Sequence, residues 1–141
     1  MAKFSQRSLD SLKGVHPNLV KLMTEAIKDT PYDFTITEGV RTVARQQQLY
    51  AQGRTTKGSI VTNTDGIRKK SNHQPKSDGY GYAVDLYPFY NGSVQVNDKD
   101  VIPRLKAIAI HVKAVSKCLG IGINWGGDFK GLFDPPHFEL K

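Results

Sequence analysis

Residues 101–119 place Leu105, Ile108, Ala109, Val112 and Val115 on one side of a helix, with Lys106, Lys113 and Lys117 elsewhere and Gly120 as the stop. A helix with one apolar stripe is stable only when that stripe is covered, so the rest of the chain must supply a matching surface. A second stripe, Leu19, Leu22, Met23, Ala26 and Ile27, opens at Pro17 and ends before Pro31. Phe34–Glu38 alternates like a short strand, and Tyr82–Tyr87 reads as another that stops at Pro88. Asn91-Gly92 marks a turn, and residues 121–125 and 136–140 read as two closing strands. Between the first two strands, a polar helix runs from Arg41-Thr42 through Gln46, Gln47, Leu49 and Tyr50 to Gly53. The predicted class is α+β, with a short antiparallel sheet packed against helices. At 141 residues and 38% apolar content the chain can build one core and not two.

Residues 53–81 are rich in Gly, Thr, Ser, Asn, Lys and Asp and hold few apolar anchors. A segment this long without regular structure is functional or mobile in most domains, and it is expected to be mobile without a bound ligand. The single Cys118 excludes an internal disulfide and a Cys-rich metal site, and is read as a core thiol. No apolar run is long enough to cross a membrane, and the N-terminal residues lack the apolar stretch of a signal peptide.

Charge is unevenly spread. The chain carries 20 basic and 13 acidic side chains, a net +7. Residues 1–72 hold twelve basic and six acidic groups, +6, and residues 73–141 hold eight and seven, +1. Such a chain favours polyanions, but the aromatic–basic interleaving of a nucleic-acid reader is absent, so no specific nucleic acid is expected.

Among the four histidines, His16 and His111 lie in helix contexts without a ligand-spaced neighbour and suit surface or capping roles. His73 and His137 have different surroundings. Near the first stand Asp78 and Asp85, and before the second stands Asp134. Two histidines and a carboxylate are the usual protein ligands of a catalytic zinc, which needs a further carboxylate as general base. Pro135-Pro136 favours a polyproline II stretch that sets Asp134 and His137 on one side, roughly 9 Å apart along the axis. The alternative is a rigid turn before a C-terminal strand, with both groups merely exposed.

Ser71-x-His73, Gly81-x-Ala83-x-Asp85 and Asp134-x-x-His137, in that order, resemble the zinc peptidases of the D-Ala-D-Ala carboxypeptidase/VanY-like family. The similarity is strongest to the small phage endolysins that act as L-alanyl-D-glutamate peptidases. Gly39-Val-Arg41-Thr42, Gln48-Leu49-Tyr50 and Trp125-Gly-Gly-Asp128 also resemble that group. One departure stands out: the usual motif places the Asp seven residues after the first His, whereas Asp85 follows His73 by twelve. The extra residues introduce Asp78 as a rival ligand. Asp85 is preferred because it ends a strand-like run, where a ligand is held more firmly than on a loop.

The resemblance implies that His73, Asp85 and His137 bind Zn2+, that Asp134 is the general base and that Arg41 stabilises the oxyanion. It further implies that Ser71 and Trp125 line the substrate groove. For Arg41 the alternative is a surface ion pair, and for Trp125 a core anchor. The implied activity is cleavage of the L-Ala–D-Glu bond of peptidoglycan stem peptides. Alternatives are a D-Ala-D-Ala carboxypeptidase on the same site, or a non-catalytic basic module that binds polyanions or cell wall. Neither the terminal His-x-His of lysostaphin-like enzymes nor a His-Glu-x-x-His helix occurs. By the same resemblance, residues 1–141 form one peptidase domain, monomeric and without a separate cell-wall-binding domain. Its expected site of accumulation is the host cytoplasm, with holin-dependent release to the periplasm and wall. The basic surface of residues 1–72 would attract it to lipopolysaccharide or other anionic surface polymers.

Overall fold

The computed structural model describes residues 3–141. Four helices and five strands follow one another as α1 (Gln6–Ser11), α2 (Pro17–Lys28), β1 (Phe34–Glu38), α3 (Val43–Ala51), β2 (Ala83–Tyr90), β3 (Ser93–Val94), α4 (Val101–Leu119), β4 (Ile123–Trp125) and β5 (His137–Leu140). All strand pairs are antiparallel, in the order β1-β2-β5-β4, with β3 joined to the far end of β2. The predicted α+β class and the main elements are present.

Strand alternation gives this sheet two unlike faces. Phe34, Ile36, Val84, Leu86, Trp125 and Phe138 join one hydrophobic core with the stripes of α2 and α4. The intervening residues Asp85, His137 and Glu139 turn away from that core into a groove, which Tyr87 also lines while packing against the core. Helix α2 carries His16 as its N-cap, whose Nδ1 accepts from the Asn18 N–H, followed by Pro17 in the first turn. Helix α4 ends on Gly120 in the left-handed conformation at φ 70°, which a Cβ would disfavour.

Several expectations are corrected. Strand β2 does not stop before Pro88 but continues to Tyr90. The Leu86 N–H points towards Pro136, so Pro88, two residues on, lacks its N–H on the β5 side. Strand β5 pairs with β2 only from Ala83 to Asp85, and nothing there requires that donor. The Asn91-Gly92 turn is present, with φ 55° and 81°, and closes the β2–β3 hairpin. Cys118 is exposed rather than a core thiol. It lies six residues beyond the buried Val112, about 240° around the helix and off the apolar stripe. Helix α1, unmarked by apolar periodicity, is held by a polar contact: buried Ser8 Oγ accepts the Ile36 N–H of β1 at 3.0 Å.

Residues 53–82 hold no helix or strand, as expected, but they are tied to the body by side chains. Fully buried Gln46 of α3 donates to the Thr64 carbonyl at 2.8 Å and to Thr62 Oγ1 at 3.2 Å. Buried Gln74 donates to the Gly66 carbonyl at 3.1 Å and accepts from the Ser71 N–H at 2.8 Å. Gly66, at φ +87°, packs against both glutamines.

Leu105 is fully buried where α4 meets the sheet and α2. Leu105→Ala is expected to lower the unfolding free energy by about 2–5 kcal/mol, measured by urea denaturation.

Candidate functional site

Each charged group in the groove is delivered by a different local device. Asp85 and His137 are directly opposed partners on β2 and β5, so antiparallel register alone brings them together. Glu139 lies two residues beyond His137 and therefore on the same face. Glu38 would face the core if β1 alternated without interruption. A β-bulge between Ile36 and Glu38 turns it to the groove side, opposite Asp85.

His73 belongs to no strand and is fixed by its backbone neighbours. Its carbonyl accepts the Arg41 N–H at 2.8 Å, and its ring Nδ1 lies 2.8 Å from the Gly39 carbonyl. A carbonyl only accepts, so Nδ1 carries the proton and Nε2 presents a lone pair. The same logic fixes His137: Nε2 lies 2.7 Å from Glu139 Oε1, which leaves Nδ1 facing inward.

Three potential ligand atoms therefore converge. His73 Nε2 and His137 Nδ1 are 3.2 Å apart, and they lie 3.3 and 3.4 Å from Asp85 Oδ1. Asp85 Oδ1 is buried and receives no hydrogen bond. Such an arrangement of ligand atoms suits a cation between them. Ligands 2.0–2.1 Å from a tetrahedral ion stand about 3.3 Å from one another, which matches the three edges observed. These residues could hold a metal ion.

The other oxygen of Asp85 is already satisfied. Arg41 donates from Nη2 to Asp85 Oδ2 at 2.8 Å, from Nε to Glu38 Oε1 at 2.8 Å and from Nη1 to Gln46 Oε1 at 3.2 Å. A longer contact of 3.4 Å joins Nη2 to Glu38 Oε2. Four of the five guanidinium N–H groups are thus engaged, leaving one on Nη1. Arg41 is a nearly buried ion-pair partner and not a surface one, its side chain being 11% exposed.

Burial acts against the Asp85 charge, yet the two histidines and Arg41 outweigh it and hold the carboxyl well below its ordinary range. Burial also opposes a charge on His137, but the nearby carboxylates of Asp85, Glu139 and Asp134 hold the imidazole up at about 9. Asp134 is pushed upward, first by burial and then by the Asp85 charge. Burial and the charges of Asp85 and Asp134 raise the Tyr87 hydroxyl to about 12, so it stays a neutral donor.

Asp134 reaches this centre by a route other than the predicted one. Pro135-Pro136 does not continue as polyproline II; the His137 N–H bonds the Asp134 carbonyl at 3.1 Å and closes a turn. Asp134 Oδ2 consequently lies 3.9 Å from His137 Nδ1. The turn is held from outside. Trp125 Nε1 donates to the Pro135 carbonyl at 2.7 Å, and the Gly126 carbonyl accepts the Asp134 N–H at 3.1 Å. A Cβ on Gly126 would fall 2.0 Å from the Asp134 carbonyl oxygen, so only glycine permits this approach.

Six of the seven predicted site residues, Arg41, Ser71, His73, Asp85, Asp134 and His137, line one groove of about 650 Å³. Trp125 does not. It is buried, stacks on Phe138 in the core and borders a different groove. Asp78 is outside the cluster as well: it is exposed and accepts from the Tyr80 N–H and the Tyr82 hydroxyl. Sequence reasoning missed Glu38, Gln46 and Glu139. The i, i+2 spacing of His137 and Glu139 on a strand was a usable signal for the last of these.

A profile of the phage L-alanyl-D-glutamate peptidase family matches residues 1–140. The chain is 32% identical to the L-alanyl-D-glutamate peptidase of Escherichia phage T5, covering 98% of this chain and 97% of that protein. It is 33% identical to the peptidoglycan L-alanyl-D-glutamate endopeptidase CwlK of Bacillus subtilis, covering 96% and 81%. The crystal structure of the Serratia marcescens L-Ala D-Glu endopeptidase ChiX superposes with a TM-score of 0.77 at 31% identity, covering 99% of this chain and 90% of that one.

A metal ion needs a neutral imidazole, whereas His137 in the metal-free protein is protonated at pH 7 because its pKa is raised to about 9. Zinc binding at pH 7 should therefore release about one proton, with affinity rising about tenfold per pH unit towards pH 9 and levelling above it. Calorimetric titration in buffers of different ionisation enthalpy measures this; binding without proton release at pH 7 contradicts the assignment. Asp85→Ala should abolish binding and Asp78→Ala should leave it unchanged.

Proposed function

Because the chain belongs to the phage L-alanyl-D-glutamate peptidase family, we propose that it is a zinc-dependent endopeptidase that cleaves the L-Ala–D-Glu bond of peptidoglycan stem peptides. The observation that carries this reading is the convergence of His73 Nε2, Asp85 Oδ1 and His137 Nδ1 on one point beside a fourth group, Asp134. When bound there, zinc would polarise the scissile carbonyl and acidify the attacking water.

The remaining roles fall to side chains of this chain. Asp134 is the general base, and its upward shift, caused first by burial and then by the Asp85 charge, makes it a stronger proton acceptor than an exposed carboxylate. Having taken the proton from water, it is placed to return it to the departing amine. Arg41 holds Asp85 Oδ2 so that Oδ1 stays free, and its remaining Nη1 N–H is assigned to the developing oxyanion. Tyr87, a neutral donor in the groove wall, can bind a substrate carbonyl. Ser71 Oγ accepts the His73 N–H at 3.2 Å and lines the groove, which suits both a supporting and a substrate-contacting role. Trp125 is reassigned from substrate contact to positioning, through its bond to Pro135 beside the base.

No helix among the described residues is long and apolar enough to cross a membrane. Action as a monomer on the wall after holin-dependent release, with attraction to lipopolysaccharide through basic surface, forms part of the same proposal.

Mass spectrometry of purified muropeptides after digestion tests the reading. New termini at Ala and Glu are expected, and loss of a terminal D-Ala would instead identify a carboxypeptidase. Asp134→Asn should lower kcat about 10²–10⁴-fold while zinc binding persists. Gly126→Ala should reduce kcat, because its Cβ would fall 2.0 Å from the Asp134 carbonyl oxygen and 2.9 Å from His137 Cβ and so displace the turn that carries both; unchanged kcat would remove the positioning role of this turn.

A further inference from the structure

A second groove, of about 800 Å³, lies between the C-terminal part of α4, strand β4 and residues 128–130. Phe129 belongs to the walls of both grooves, and its ring centroid lies 5.6 Å from that of His137. The metal centre and this second groove are therefore neighbours across one aromatic side chain.

The second groove is basic. Lys113, Lys117, Lys130 and Lys141 line it, against a single acidic residue, Asp128, which pairs with Lys113. Among the described residues, Lys117, Lys130 and Lys141 form no ion pair. Helix α4 supplies two of these lysines, Lys113 and Lys117, and its 19 residues contain no acidic side chain. The catalytic groove is mixed in charge, with Glu38, Asp85, Asp134 and Glu139 beside Arg41, Lys69 and Lys70 in its lining.

We propose that this groove is an accessory binding site for a carboxylate-bearing stretch of the wall polymer whose stem peptide occupies the catalytic groove. The proposal rests on the peptidoglycan reading above. A D-glutamyl residue has two carboxyl groups and uses one to continue the peptide, so the polymer presents free carboxylates at repeated intervals. A strand that crosses Phe129 brings such groups to lysines that have no internal partner. The concave shape separates this ligand from a bilayer, which meets flat or convex surfaces, whereas here the cations surround a hollow. The site takes an extended polymer and contributes nothing to a substrate too short to pass Phe129.

The test compares Lys117→Glu/Lys130→Glu with a control of equal charge change, Lys76→Glu/Lys99→Glu, both checked for unaltered thermal unfolding. Wild type and variants are pelleted with purified sacculi free of teichoic acid and lipopolysaccharide, and assayed on sacculi and on a soluble stem peptide. The groove variant should bind sacculi about tenfold more weakly and show a correspondingly higher KM on them. Its cleavage of the soluble peptide should stay within about twofold of wild type, and the control should change sacculus binding by no more than about twofold. Equal losses in both variants, no loss in either, or a loss confined to anionic phospholipid vesicles overturns the proposal. A wild-type protein that pellets with sacculi but does not cut the soluble peptide instead refutes the proposed activity, and the pelleting comparison still reads the groove.

Discussion

The Asp85 carboxylate is divided between two positive partners, and that division organises the polar half of the molecule. Oδ2 is held by Arg41, whose other N–H groups reach Glu38 and Gln46, while Oδ1 faces the two inward imidazole nitrogens with no hydrogen bond of its own. A buried anion without compensation costs several kcal/mol, so each neighbour matters beyond its own contact. Without the bulge in β1, Glu38 would turn away from Arg41. Without Gln46, the guanidinium would lose its tether to α3 and to the wall at residues 62–64. In the metal-free protein, a proton on His137 supplies part of the missing positive charge, which accounts for its raised pKa.

The same sheet answers two opposed demands through alternation. Val84 and Phe138 form a cross-strand pair in the core, and the next pair along, Asp85 and His137, points the other way. A one-residue slip between β2 and β5 would exchange these faces and put charges against α4. Core packing thus enforces the register that the cluster of His73, Asp85 and His137 needs. The helices contribute no ligand, yet the apolar stripes of α2 and α4 fix which face of the sheet is left for chemistry.

Much of this was legible in the sequence because it depends on local periodicity. The stripes of α2 and α4, the start of β2 and the turn at Asn91-Gly92 all follow from spacing over a few residues. The ordered motifs around His73, Asp85 and His137 identified groups that the fold brings together. What escaped depends on long-range geometry. Nothing in Phe34–Glu38 announces a bulge, so Glu38 could not be assigned to the groove. Trp125 was ambiguous because a tryptophan beside a glycine pair suits a groove or a core equally well. The Pro135-Pro136 stretch was misread because its preferred extended form yields to the bonds from Trp125 and Gly126.

The long gap between His73 and Asp85 shows why ligand spacing on a loop is a weak constraint. Residues 74–80 make their own turns: the Gly79 N–H bonds the Lys76 carbonyl, the Lys76 N–H bonds the Tyr80 carbonyl, and Asp78 caps Tyr80 and Tyr82. The chain then returns at Gly81, where a Cβ would fall 2.9 Å from the His73 carbonyl oxygen. Next to it the Tyr82 N–H bonds the Asn72 carbonyl at 2.7 Å, so entry and exit of the excursion are joined directly. A loop closed at its base in this way can gain residues without moving His73 or the first residue of β2. Lengthening it by several residues adds only a fraction of a kcal/mol in closure entropy. The rival Asp78 arises from that excursion, and its two hydrogen bonds stabilise the detour and not the cluster of His73, Asp85 and His137.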